Sequence, residues 1–202
     1  MRLESSQGPA ATQPRRSERR VQAALLTASR AIDQISAAAA AVASWLVLLA
    51  CFISAGNAGS RYLFSVSSNA WLEIQWQLFA GIFLLGAAHV FRLNEHVRVD
   101  LLYGNRSERG KLWTDVIGIV LFFFPSILFI LYLTWPFFMT SYRSGEYSSN
   151  SGGLILWPVK LLLPVGFALL ALQGVSELTK RIAALRGEAP ADEIASYEKP
   201  LQ

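Results

Sequence analysis

Apolar positions along this chain gather into four long blocks with almost no charge inside them, spanning about 35–54, 70–91, 112–139 and 156–178. A block of some 20 helical residues, at 1.5 Å each, covers the ~30 Å hydrocarbon core of a bilayer. The pattern therefore predicts an all-α membrane protein with four transmembrane helices.

The four blocks are unequal. The first opens on alanines at 37–41 and 43 and continues as WLVLLACFIS. Small residues let helices approach closely, so its alanine half reads as a packing face. Gly56, Asn57 and Gly59 are then expected to loosen the helix. The second block starts with Asn69 as a candidate N-cap, and Glu73 is expected in the first turn, where the helix dipole favours an anion. Trp71, Glu73, Gln75, Trp76 and Gln77 make its outer end the least lipid-like of the set. The third block is long enough to require tilt, and Pro125 marks a kink. Trp135 and Trp157 are interface anchors, Pro158 suits a first helical turn, and Pro164 marks a bend in the fourth block.

Between the blocks the text is polar. Residues 1–16 are basic and expected to be disordered. From Ser17 the chain can form a basic amphipathic helix, suited to a membrane surface or to the start of the first span. RLNEHVRVDLLYGNRSERGK, between the second and third blocks, alternates charges with Val97, Val99, Leu101 and Leu102, as expected of a segment lying at the interface. SYRSGEYSSNSGG reads as a turn, and residues 188–202 as a disordered tail. The polar stretch ahead of the first block is too long for a signal peptide.

Composition agrees with this reading. Hydrophobic residues make up 53% of the 202 and charged residues 16%, against about 25% charged in soluble domains. Basic residues border the apolar blocks, so membrane lipid is the simpler partner and nucleic acid is not expected. Of the 18 Lys and Arg, 15 lie before the first block, between the second and third, or after the fourth. Only Arg61, Arg143 and Lys160 fall on the other side. The positive-inside rule then places both termini in the cytoplasm. Cys51 is the only cysteine, which excludes an internal disulfide relay.

Candidate chemistry is sparse. His89 and His96 lie on one span and its exit, which does not suit a haem held between two helices. Glu95, His96, Arg98 and Asp100 could form a metal or acid–base site, or an interfacial loop with internal ion pairs. Glu73 is either an intramembrane carboxylate with a functional role or an interfacial group bonded to a neighbouring helix, and Gln77 shares its face. Lys160 either snorkels to the outer headgroups or meets a lipid phosphate or a partner carboxylate. Gln173, Ser176 and Glu177 form one polar stripe, read as helix–helix contact. No phosphate loop, zinc-protease pair, nucleophile elbow or cofactor motif is present, so no enzyme activity and no cofactor are expected.

NAWLEIQWQLFAGIFLLGAAHVFRLNEHVRVDLLYG resembles the small membrane subunit of TRAP transporters, the DctQ family. Trp71, Glu73, Leu85-Gly86-Ala87-Ala88, Arg92, Glu95-His96, Val97, Arg98-Val99-Asp100 and Leu101 carry the likeness. Gly152, Gly153, Trp157, Pro158, Lys160, Pro164, Gly166, Gln173, Gly174, Ser176 and Glu177 resemble a branch labelled mannitol or chloroaromatic type. Many members carry two adjacent acids where this chain has Leu72-Glu73-Ile74, and here the chain departs from the family pattern. The resemblance implies an inner-membrane subunit of a tripartite, ion-gradient-driven importer of organic acids. Its partners would be a large permease subunit, which it braces, and a periplasmic solute-binding protein. Trp71, Glu73, Gln77, Trp157, Lys160, Gln173 and Glu177 are the expected contacts with the partner or within the bundle. Arg92, His96, Arg98 and Asp100 are expected to hold the cytoplasmic loop at the headgroup boundary. A stand-alone exporter dependent on Glu73 is the alternative.

Overall fold

The computed structural model describes residues 16–66, 68–93, 107–150 and 152–187. Glu95, His96, Arg98, Asp100 and the expected interfacial segment lie outside them, as do residues 1–15 and the tail beyond 187.

Helix α1 spans Arg16–Phe64 and α2 spans Asn69–Leu93. The third span is built of α3, Glu108–Gly118, a π-helical turn over Ile119–Phe123, and α4, Phe124–Ser144. Helix α5 spans Trp157–Leu185. Four helical stretches are long and apolar enough to cross a membrane, in agreement with the four blocks of sequence.

Their limits differ from the sequence reading in physical detail. α1 is 49 residues long, about 74 Å at 1.5 Å per residue, more than twice the hydrocarbon core. Gly56, Asn57 and Gly59 do not loosen it. A mid-helix glycine costs only about 1 kcal/mol relative to alanine, and no proline interrupts the run. The helix runs on past them and stops at Ser65, whose φ is 55°. Among the residues of α1 whose burial is described, the buried ones are Ser29, Ser36, Ala43 and Ala50, seven apart, the repeat of a left-handed coiled-coil seam. Within the alanine run the inward face is thus narrow: Ala43 is buried, whereas Ala38 and Ala41 are exposed.

Ser68, not Asn69, caps α2: its hydroxyl accepts from Ala70 N–H at 3.3 Å and its carbonyl from Trp71 N–H at 3.2 Å. Asn69 is already helical, so Glu73 lies beyond the first turn, and its carboxylate is satisfied by another segment instead of by the helix end.

Ser107 caps α3, its hydroxyl accepting from Gly110 N–H. The π turn directly precedes Pro125, which sits in the first turn of α4. Phe124 N–H reaches back to Ile119 O, one residue further than in an α-helix. That wider turn relieves the ring of Pro125, which would otherwise press on the carbonyl of Leu121. The π turn also carries Phe123 onto Phe91 of α2, ring centroids 4.5 Å apart, and against Gly174 of α5. α4 continues through Pro136 and ends at Gly145, whose φ of 60° suits a left-handed C-terminal residue.

α5 is the hub: it packs on α1, α2, α3 and α4. Gly166 permits its closest approach to α2, because a Cβ there would lie 2.7 Å from Leu84 Cβ and 3.0 Å from Leu84 O.

Candidate functional site

Two polar assemblies stand at opposite ends of the helices. The first is built around the connection between α4 and α5, residues 145–156. This segment folds back on itself: Leu156 N–H donates to Glu146 O and Ser148 N–H to Leu154 O, each at 2.9 Å. Tyr147 and Ile155 form an antiparallel bridge across it. Gly153 lies so close to Ser148 O that a Cβ would stand 2.3 Å away, so only glycine fits.

α2 holds this hairpin from the side. Glu73 Oε2 accepts from Leu154 N–H at 2.8 Å and Oε1 from the Asn150 amide at 3.4 Å. One turn on, Gln77 donates to Ile155 O at 3.5 Å. From α5, the Lys160 ammonium pairs with the Glu146 carboxylate and lies 4.3 Å from the Phe137 ring centroid. The ammonium holds the Glu146 carboxyl below the usual glutamate range. Trp157 packs edge-on against Tyr142, and Trp71 is exposed on the flank of α2.

The second assembly is a buried network at the other end. Gln173 of α5 is fully buried; its carbonyl accepts from the Ser36 hydroxyl at 2.6 Å and its amide donates to Asp33 Oδ1 at 2.9 Å and to Glu177 Oε1 at 3.3 Å. The Ser176 hydroxyl donates to Asp33 Oδ1 at 2.8 Å and pairs with the Ser29 hydroxyl at 2.6 Å. Lys180 stands 2.6 Å from Asp33 Oδ2 and 2.9 Å from Glu177 Oε1. Arg92 of α2 donates to Asp33 O at 3.2 Å, and its guanidinium lies 3.9 Å from the Asp33 carboxylate. Arg181, only 3% exposed, bridges Asp115 of α3 at 3.0 Å and Glu177. Among the described residues the carboxylates of Asp33, Asp115 and Glu177 are each paired with a cation. That pairing is what allows charges to be buried there.

Of the residues singled out from sequence, the structure brings Glu73, Gln77 and Lys160 to the outer hairpin. It brings Arg92, Gln173 and Glu177 to the opposite network. His96, Arg98 and Asp100 lie outside the described residues. His89 lies on α2 with its Nδ1 buried and without a partner among the described residues.

Sequence reasoning missed Asp33, Asp115, Ser29, Ser36 and Glu146, and counted Lys180 and Arg181 only as topological charges. One signal was available: Ser29, Asp33 and Ser36 recur at helical spacing, and so do Gln173, Ser176, Glu177, Lys180 and Arg181.

These are the features of a helical membrane subunit whose polar groups bind one another. A family model, described as Tripartite ATP-independent periplasmic transporters, DctQ component, matches residues 50–184. The chain belongs to the DctQ family. It is accordingly a multi-pass inner-membrane protein and the small subunit of a TRAP transporter, a class that works with a large permease and a periplasmic binding protein. No curated protein and no solved structure matches the chain. The DctQ match spans the last third of α1 through nearly all of α5. It leaves Ser29, Asp33 and Ser36 outside, so the α1 side of the buried network lies beyond the matched region.

Proposed function

We propose that this DctQ subunit is a static brace for the large permease of a tripartite importer of organic acids, and that it carries no substrate itself. One observation supports the reading above the others. The carboxylates within the spans, Asp33, Glu73, Asp115 and Glu177, are each bonded by groups of this same chain. A substrate or ion site needs polar groups with unused bonding capacity near mid-depth, and transporters build such sites from paired broken helices. Here the polar groups bind helices to each other, and the flanks are apolar.

The same geometry disfavours an exporter cycling on Glu73. That carboxylate is 7% exposed and tied to a backbone amide of the hairpin. Releasing it for each transport cycle would require dismantling the outer end of the bundle.

Orientation belongs to the proposal. With both termini cytoplasmic, the hairpin at 145–156 faces the periplasm, where a solute-binding protein arrives. The buried network then lies at the cytoplasmic end, next to Arg92 and the loop carrying His96, Arg98 and Asp100. We assign those loop charges to holding the subunit at the headgroup boundary.

Co-purification in mild detergent tests the brace. A large permease should co-elute with the chain, and import should cease without the small subunit while Glu73→Gln still supports it. If the chain purifies alone and exports substrate by itself in a Glu73-dependent way, the brace reading is wrong.

A further inference from the structure

The far end of α1 carries an apolar surface that the bundle leaves uncovered. Tyr62 is 88% exposed, Leu63 71%, Phe64 72% and Val66 61%. The turn that holds them is tied down: the Ser60 hydroxyl donates to Val66 O at 3.2 Å, and Ser68 caps α2 just beyond. Gly56 and Gly59 stand clear of the other helices, since an added Cβ at either would meet nothing within 4 Å.

The register of α1 on α2 fixes how far out this surface lies. The two helices run antiparallel, with Arg92 donating to Asp33 O and Gly81 lying against the Leu46 side chain. Glu73, which anchors the outer hairpin, is therefore level with Ile53 and Ser54. From Asp33 in the buried network to that level is about 31 Å at 1.5 Å per residue, the thickness of the hydrocarbon core. The two polar assemblies thus mark its two faces. Trp45 and Phe52, also exposed, fall between them and face lipid tails. Tyr62, Leu63 and Phe64 lie about 13–16 Å beyond the outer face. A headgroup layer is only about 5–8 Å deep, which places the tip in water.

An apolar patch in water marks a contact with another protein. Geometry separates two kinds of partner. Successive helical residues point about 100° apart, so Tyr62, Leu63 and Phe64 together cover most of the helix circumference. A helix of the large permease lying alongside would cover one of them. A partner that meets the tip end-on, from the aqueous side, covers all three. Arg61 is exposed and has no ion pair among the described residues, so the rim of the tip also offers a positive charge.

We infer that the end of α1, from Arg61 to Val66, is a docking point for the periplasmic solute-binding protein. That protein should receive the apolar tip in a recess bordered by an acidic side chain. The inference rests on the brace reading and on its orientation, and assigns the subunit a second contact, outside the membrane.

Photocrosslinking in membranes that hold the whole complex tests the assignment. A benzophenone amino acid replaces Leu63 in one variant and Phe52 in another. With the transporter's own solute-binding protein added, irradiation should join position 63 to that protein and give no such adduct at position 52. The double variant Tyr62→Ser with Phe64→Ser should raise several-fold the concentration of binding protein needed for half-maximal import, while the large permease still co-purifies. Arg61→Glu should act in the same direction and Arg61→Lys should not. An adduct from position 63 to the large permease or to a second small subunit, or to no protein, overturns the inference and leaves the brace reading standing. An unchanged requirement for binding protein in the double variant does the same. Loss of the permease from the double variant alone assigns the tip to the permease and also overturns it. Failure of the parent chain to co-purify with a large permease removes the brace reading, and the inference with it.

Discussion

Arg181 sits between two carboxylates at 3% exposure, and its surroundings are organised to keep it charged. Removing one member of a buried pair leaves its partner uncompensated, at a cost of roughly 3–5 kcal/mol. Arg181→Met should therefore destabilise the folded subunit by that order in denaturant titrations in detergent. The triple variant with Asp115→Asn and Glu177→Gln should recover part of the loss, because no isolated charge remains. A single variant as stable as the parent would show that the network is not a structural tie. Glu73 is a contact of another kind, an acceptor for one backbone amide. Glu73→Gln keeps an oxygen for Leu154 N–H, whereas Glu73→Ala does not. Amide hydrogen exchange at Leu154 should accelerate in the alanine variant and stay near the parental rate in the glutamine variant.

At the scale of the elements, close helix approach depends on a few glycines. Gly166→Ala puts a methyl group against the main chain and Cβ of Leu84, which cannot rotate away, and overpacking of this kind costs about 1–3 kcal/mol. Gly174→Ala meets the ring of Phe123, a side chain that can shift, so its cost should be the smaller of the two in the same unfolding assay. The outer hairpin depends on charge as well as on backbone pairing. Lys160 lowers the pKa of Glu146 in the folded protein, so the pair's contribution is complete above the ordinary glutamate range. It is lost as pH falls through the lowered value. Exchange of the hairpin amides should therefore be indifferent to pH around neutrality and rise only once the pH falls below the ordinary glutamate range, after correction for intrinsic rates. Glu146→Gln should abolish that acid-dependent rise.

For the whole molecule, the two assemblies fix four spans as one body with polar ends and apolar flanks. Burial of helix on helix gives no hydrophobic gain within lipid, so packing and hydrogen bonds must supply the association. Sidedness is a property of the same scale. A phosphatase reporter active only in the periplasm should be silent when fused after Gly187 and active when fused within residues 145–153. The opposite pattern would reverse the proposed orientation and move the buried network to the periplasmic side.

Number, order and approximate extent of the spans were determined by the sequence alone, because a ~30 Å apolar layer demands long uncharged runs whatever the neighbours are. The residues that carry the DctQ resemblance were legible for a related reason: they are local strings, complete within one segment. What the tertiary structure decided is which polar groups meet. Asp33 sits in an ordinary helical stretch, and nothing in its own segment identifies Lys180, Ser176 and Gln173 as its partners. Glu73 reads locally as an anion near a helix start, and its actual donors lie in a loop about 80 positions further along. Hydrophobic burial in a membrane is one-dimensional and can be read along the chain. Hydrogen bonds between helices depend on rotation and register, which exist only once the helices have packed.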